Sequence, residues 1–200
     1  KIKQDDSIKK GSLLLILKSP SRMFRYLKCI ILGVPLYLCF GLFVLFSPEI
    51  AKEIGIKETF LVADIMLYAS IAMTVGDLVA GLLSHYLKSR KTPLVIFLIC
   101  SCIFAFMISL GLPKTVMHYK ILTAGMGFFS GYWACLLTAT AEQFGTNIRA
   151  TVTTTIPNFI RATTILLTSS FAYLKPELGV QSSIFLITLL VFSASFITLF

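Results

Sequence analysis

Charge is what this chain has least of. Asp, Glu, Lys and Arg make up 14% of its 200 residues, against about 25% in soluble globular domains, which excludes an ordinary water-facing surface. Histidine occurs twice, and neither His85 nor His118 is well placed to serve Ser130, the one serine (beside Gly131) that tempts as a nucleophile. A buried serine with no histidine in reach has no base to activate it, which argues against an intramembrane protease. The five cysteines, Cys29, Cys39, Cys100, Cys102 and Cys135, all fall in apolar segments and show neither CxxC nor paired extracellular spacing. No disulfide framework or metal site is indicated, no cofactor is expected, and the thiols read as small apolar packing groups. No signal peptide is visible, because a polar, charged stretch precedes the first apolar run. Neither an arginine ladder nor a filter-like loop supports a six-span channel, a less favoured alternative.

Apolar residues fill the chain instead. Hydrophobic residues make up 56% of it, the mean hydropathy is +0.88, and there are 17 Phe against a single Trp. Crossing roughly 30 Å of hydrocarbon takes about 20 mostly apolar residues. Six segments qualify: Tyr26–Phe46, Thr59–Leu83, Pro93–Leu112, Tyr119–Thr140, Thr151–Leu174 and Val180–Phe200. Leu13–Leu17 is too short to cross and, with Lys18, Arg22 and Arg25, reads as an interfacial lead-in. The expected division is a polar segment over 1–25 and a six-span bundle over 26–200. A net charge of +9 would point to nucleic acid in a soluble protein; here the loop cations report orientation, and no nucleic-acid partner is expected. Eleven Lys and Arg precede the first span or follow the second and fourth, and four lie in the other loops. The positive-inside rule places the first group, and both ends, on the cytoplasmic side of a plasma or bacterial inner membrane. The chain starts at Lys1 and stops at Phe200 inside an apolar run, so it is expected to be part of a longer protein.

An ionisable group at the bilayer centre costs about 2.5–3.5 kcal/mol on insertion scales, so each one needs a partner or a water-filled cavity. Arg161 lies ten residues into the fifth span, about 15 Å deep at 1.5 Å per residue. Thr154, Asn158 and Arg161 follow i, i+4, i+7 spacing and make a polar stripe, with Pro157 inside it. That pattern describes a cavity-lining helix whose Arg161 meets an anionic group of a substrate or a carboxylate elsewhere; an ion pair that only fixes packing is the alternative. Asp64, near the outer end of the second span, is a candidate proton-coupling site, or else simply wet at the interface. Asp77, beside Gly76, suits an intracellular pairing or helix-end role. In the fourth span Gly127 and Gly131 form a GxxxG pair suited to close packing, and Tyr132 and Trp133 are candidates for stacking on substrate or for core packing. In the first span Gly33, Pro35, Tyr37 and Gly41 interrupt the apolar run, as at a binding site or a simple kink.

Two loops carry a family resemblance. Gly81-Leu82-Leu83-Ser84-His85-Tyr86-Leu87-Lys88-Ser89-Arg90-Lys91 resembles the Gly-x-Leu-x-Asp-Arg-x-Gly-Arg-Arg-Lys loop of the major facilitator superfamily, with His85, Tyr86 and Lys88 in place of that motif's Asp, first Arg and Gly. Glu142-Gln143-Phe144-Gly145-Thr146-Asn147-Ile148-Arg149 is similar to the Glu-x-Phe-(Pro/Gly)-Thr-x-x-Arg segment of sugar-porter-like and metabolite:proton symporter members. The resemblance implies an all-α membrane protein: six transmembrane helices, built as a 3+3 inverted repeat, forming the carboxy-terminal half of a twelve-helix transporter. It further implies alternating access, a small-molecule substrate such as a sugar or other metabolite, protons as the coupling partner, surrounding lipid, and a missing amino-terminal half. A drug or metabolite efflux antiporter of the same fold is the nearest rival. By matching positions, Glu142, Arg149 and Arg90 would form a cytoplasmic gate cluster, with Asp77 able to compensate for the motif Asp absent at His85.

Overall fold

The computed structural model describes Ile16 and residues 18–199. The polar segment ahead of them, all of the Leu13–Leu17 lead-in except Ile16, and Phe200 lie outside the described residues. Helix α1 spans Pro20–Leu38, with proline in its first turn, where a missing N–H is harmless. It continues as a wider π-helical segment, Cys39–Val44. The short α2 (Ser47–Glu53) leads to α3 (Val62–Tyr86), α4 (Lys91–Ser109), α5 (Val116–Ser130), α6 (Trp133–Gln143), α7 (Thr146–Leu178) and α8 (Val180–Leu199). No strand occurs among the described residues.

Five stretches are long and apolar enough to cross a membrane: Pro20–Val44, Val62–Tyr86, Lys91–Ser109, Val116–Gln143 and Val180–Leu199. The chain is therefore a helical membrane protein. The remaining expected span falls within α7, whose 33 residues measure about 50 Å at 1.5 Å per residue. Its length suffices, but its threonines, Asn158 and Arg161 make it too polar to be counted with the five. The fourth expected span is two helices, α5 and α6, broken at Gly131-Tyr132.

Successive antiparallel helices gather residues near 20, 87–91, 143–146 and 199 at one end of the bundle, the basic end. Residues 45–61, 110–115 and 178–180 gather at the opposite end. The tightest packing joins α3 to α5: a methyl added at Gly76 would overlap the Phe128 carbonyl, and one at Gly127 would press on the Ala69 carbonyl. Such approach, with no side chain between, is what small residues permit in membrane helices. On the other side α1 packs against α7 and α8. Pro35 interrupts α1 and leaves the Ile31 carbonyl without its helical donor. Ser195 of α8 donates to that oxygen at 3.1 Å, and the Tyr132 hydroxyl donates to the next one, Leu32, at 2.8 Å. Within the π-helical segment the Phe43 carbonyl accepts from Tyr119 at 2.7 Å. The interruption of α1 is thus braced from inside by buried side chains.

Candidate functional site

Three helices converge at mid-bundle. α1 brings Tyr37, just before its π-helical segment; α6 brings Trp133, its first residue; α7 brings Arg161, near its middle. The Arg161 Nε donates to the Tyr37 hydroxyl at 3.3 Å. The Tyr37 and Trp133 rings meet edge to face, with centroids 6.5 Å apart and planes at 80°, an arrangement that suits the ring quadrupoles. Arg161 is exposed, and the ion pairs among the described residues all lie elsewhere. A guanidinium has five N–H donors in a rigid fork, so most of this one is left for another acceptor.

The neighbouring stripe is largely self-satisfied as a donor. The Thr154 hydroxyl donates to the Ala150 and Thr151 carbonyls at 2.9 and 3.0 Å, and the Asn158 Nδ2 donates to the Thr154 carbonyl at 2.9 Å. Back-bonding of this kind lets a helix carry hydroxyls at low desolvation cost. It leaves the Asn158 and Thr154 side-chain oxygens as acceptors about one and two turns below the arginine. Tyr132 does not join this face: it is fully buried and its hydroxyl is engaged by Leu32. Of the two roles open to Tyr132, stacking and core packing, this burial matches packing; its neighbour Trp133 is half-buried at the edge of the cluster.

Asp77 is engaged at the start of another helix. From the middle of α3 its Oδ1 accepts the backbone N–H of Ala134 at 3.3 Å. The first turn of a helix leaves its N–H groups without intrahelical partners, so Asp77 caps α6 across the helix pair and makes no ion pair among the described residues. At the basic end, the Arg90 Nε pairs with the Glu142 Oε1 at 2.7 Å, and Arg90 Nη1 donates to the Thr138 hydroxyl at 3.2 Å. Arg149, expected in the same cluster, is exposed on the first turn of α7 and reaches neither residue.

At the opposite end Lys120 Nζ lies 3.5 Å from Asp64 Oδ2 and 5.2 Å from the centroid of the Tyr68 ring. The coupling candidate is therefore engaged by a cation that the sequence analysis passed over. Lys120 sits just inside an expected span, at the same end of the bundle as Asp64, and that shared depth was the available signal. Lys175 and Glu49 form a further pair at this end, at 2.5 Å.

No family model matches the chain, and no curated protein matches it. The site is left to be interpreted by its chemistry. It offers an arginine fork with no carboxylate partner among the described residues, two aromatic edges and two oxygen acceptors. Such a set is able to hold an anionic or mixed-polarity solute.

Proposed function

We propose that this chain is the carboxy-terminal six-helix half of a secondary transporter of the major facilitator kind, with Arg161 binding an anionic group on a small organic solute. The observation that carries this is Arg161 itself: mid-helix, exposed, and without a carboxylate partner among the described residues. An arginine at the depth of hydrocarbon needs water or a ligand beside it. The broken span and the neighbouring helix, interrupted by Pro35 and a π-helical segment, are the kind of discontinuity that builds transporter sites near the midplane. In this reading α7 completes the membrane-spanning set, the amino-terminal half closes the cavity over Thr154, Asn158 and Arg161, and the basic end faces the cytoplasm. Arg90–Glu142 is the gate contact. Both side chains are about half exposed, at 43% and 58%, so the pair costs only about 0.2–1 kcal/mol to break, suited to a gate that cycles.

Uptake by the complete transporter in proteoliposomes, screened with labelled small carboxylates and phosphate esters, tests the assignment. A hydrogen bond to a charged group contributes about 1.5–3 kcal/mol, so Arg161→Ala is expected to weaken transport about 10- to 100-fold with insertion intact. Arg161→Lys, which keeps charge and loses the fork, should fall between. Normal uptake by Arg161→Ala refutes the site.

A further inference from the structure

A cavity of about 1090 Å³ opens at the basic end, bounded by α1, α3, α4, α6 and α8. We propose that it binds a phosphate-bearing anion, with the head group of an anionic phospholipid as the source that fits best. Arg25 and Lys28 of α1 line it, as do Lys88 and Arg90 of the α3–α4 turn and Lys91 at the start of α4, against one carboxylate, Glu142. Among the described residues only Arg90 of these five cations has an ion-pair partner. The others repel one another around a shared space, and a bound anion relieves that repulsion.

The backbone supplies a second observation. Lys88 is the one non-glycine residue at positive φ among the described residues, at 49°. In that left-handed region an L side chain costs roughly 1–2 kcal/mol that glycine escapes. The loop motif that this turn resembles carries glycine at that position, and here a lysine stands there, on the cavity wall. Stability is given up where a cation is gained.

The cavity floor indicates which phosphate. Cys29 and Leu32 of α1, Leu94 of α4 and Leu136 of α6 lie beneath the cations. A free phosphate would engage the rim alone, whereas a phospholipid places its phosphodiester among the cations and an acyl chain on the apolar floor. The helix ends set the cavity at head-group depth, where basic pockets between membrane helices recognise anionic lipids. The binding does not rest on the transport reading. Its consequence for a gate, competition with Glu142 for Arg90, does.

The test is a thermal-shift titration of the purified protein in dodecyl maltoside with dioctanoyl phosphatidylglycerol, dioctanoyl phosphatidylcholine and inorganic phosphate. Phosphatidylglycerol is expected to bind saturably, more tightly than phosphatidylcholine, and more weakly as salt rises. Each lysine removed should weaken it about fivefold, so Lys28→Gln, Lys88→Gln and Lys91→Gln together weaken it about 100-fold. The three corresponding Lys→Arg changes should retain it, and Lys175→Gln at the opposite end should leave it unaltered. Lys88→Gly is the sharpest variant: it should raise the melting temperature of the ligand-free protein and still weaken lipid binding, which no purely structural role for Lys88 would produce. Phosphate binding as tightly as the lipid identifies the bare anion as the ligand; phosphate inert beside a binding lipid identifies the lipid. No saturable binding of either, or a triple Gln variant that binds like the unaltered protein, overturns the proposal.

Discussion

Along α3 the exposed large hydrophobic side chains include Leu67, Ile71, Val75, Leu78 and Leu82, spaced i, i+4, i+8, i+11, i+15, so one apolar stripe runs almost the length of the helix. Along α7 the uncovered stripe begins with Thr154, Asn158 and Arg161 before it turns apolar at Ile165. Hydrocarbon accepts the first face at no cost and rejects the second. Two helices of one bundle, both open on one side, therefore face different surroundings: α3 suits lipid, and the middle of α7 suits water, solute or another protein surface. Bare exposure does not tell these apart; the chemistry of what is exposed does.

Moving a charge from one stripe to the other puts this contrast under the greatest strain. Val75→Arg places an arginine at the middle of the apolar face and should raise the insertion free energy of α3 by about 3–4 kcal/mol, a more than hundredfold shift readable by glycosylation mapping. Arg161→Val should shift insertion of α7 the other way, and uptake should fall. Efficient insertion of Val75→Arg would mean that α3 does not face lipid.

The inner faces differ as well, with a smaller expected effect. At Gly76 an added methyl meets the Phe128 carbonyl, part of a helix backbone, while at Gly33 it meets first the Ile160 Cδ1, the free end of a side chain. Backbone cannot step aside and a terminal methyl can. Gly76→Ala is expected to cost about 3 kcal/mol, the upper end of ordinary overpacking, and Gly33→Ala about 1 kcal/mol, measured by unfolding in mixed micelles. Equal losses would show that the α3–α5 contact is no more rigid than that between α1 and α7.

Most of the helix plan is legible in the sequence because hydropathy alone marks stretches of about 20 apolar residues. The break in the fourth span is not, since Tyr132 and Trp133 continue the apolar run and the new helix start is capped by Asp77, 57 positions earlier. Lys120 was illegible as a partner for the same reason: its carboxylate, Asp64, lies 56 residues away and becomes a neighbour only when the helices pack. Tyr132 and Trp133 show the finer limit. Consecutive helical residues point about 100° apart, so one is buried against α1 and the other borders the Arg161 cluster, and neither residue's chemistry announces which. Arg161 itself was legible, because a charge in an apolar stretch is conspicuous wherever it points.

The smallest expected effect concerns the basic end, where the exposed faces meet the water. Glu142→Gln removes the charge facing Arg90 and, for a pair this exposed, should change stability by no more than about 1 kcal/mol. Its expected mark is access. Cys29 lies on the wall of the same cavity, only 2% exposed, with its Sγ 3.9 Å from the Gln143 side-chain oxygen on α6. If the Arg90–Glu142 contact holds α4 and α6 together over it, Glu142→Gln should raise maleimide labelling of Cys29, resolved by site in a mass spectrometer. A rise of about two- to fivefold corresponds to the pair's free energy. Unchanged labelling with unchanged stability would reduce the pair to a surface tether.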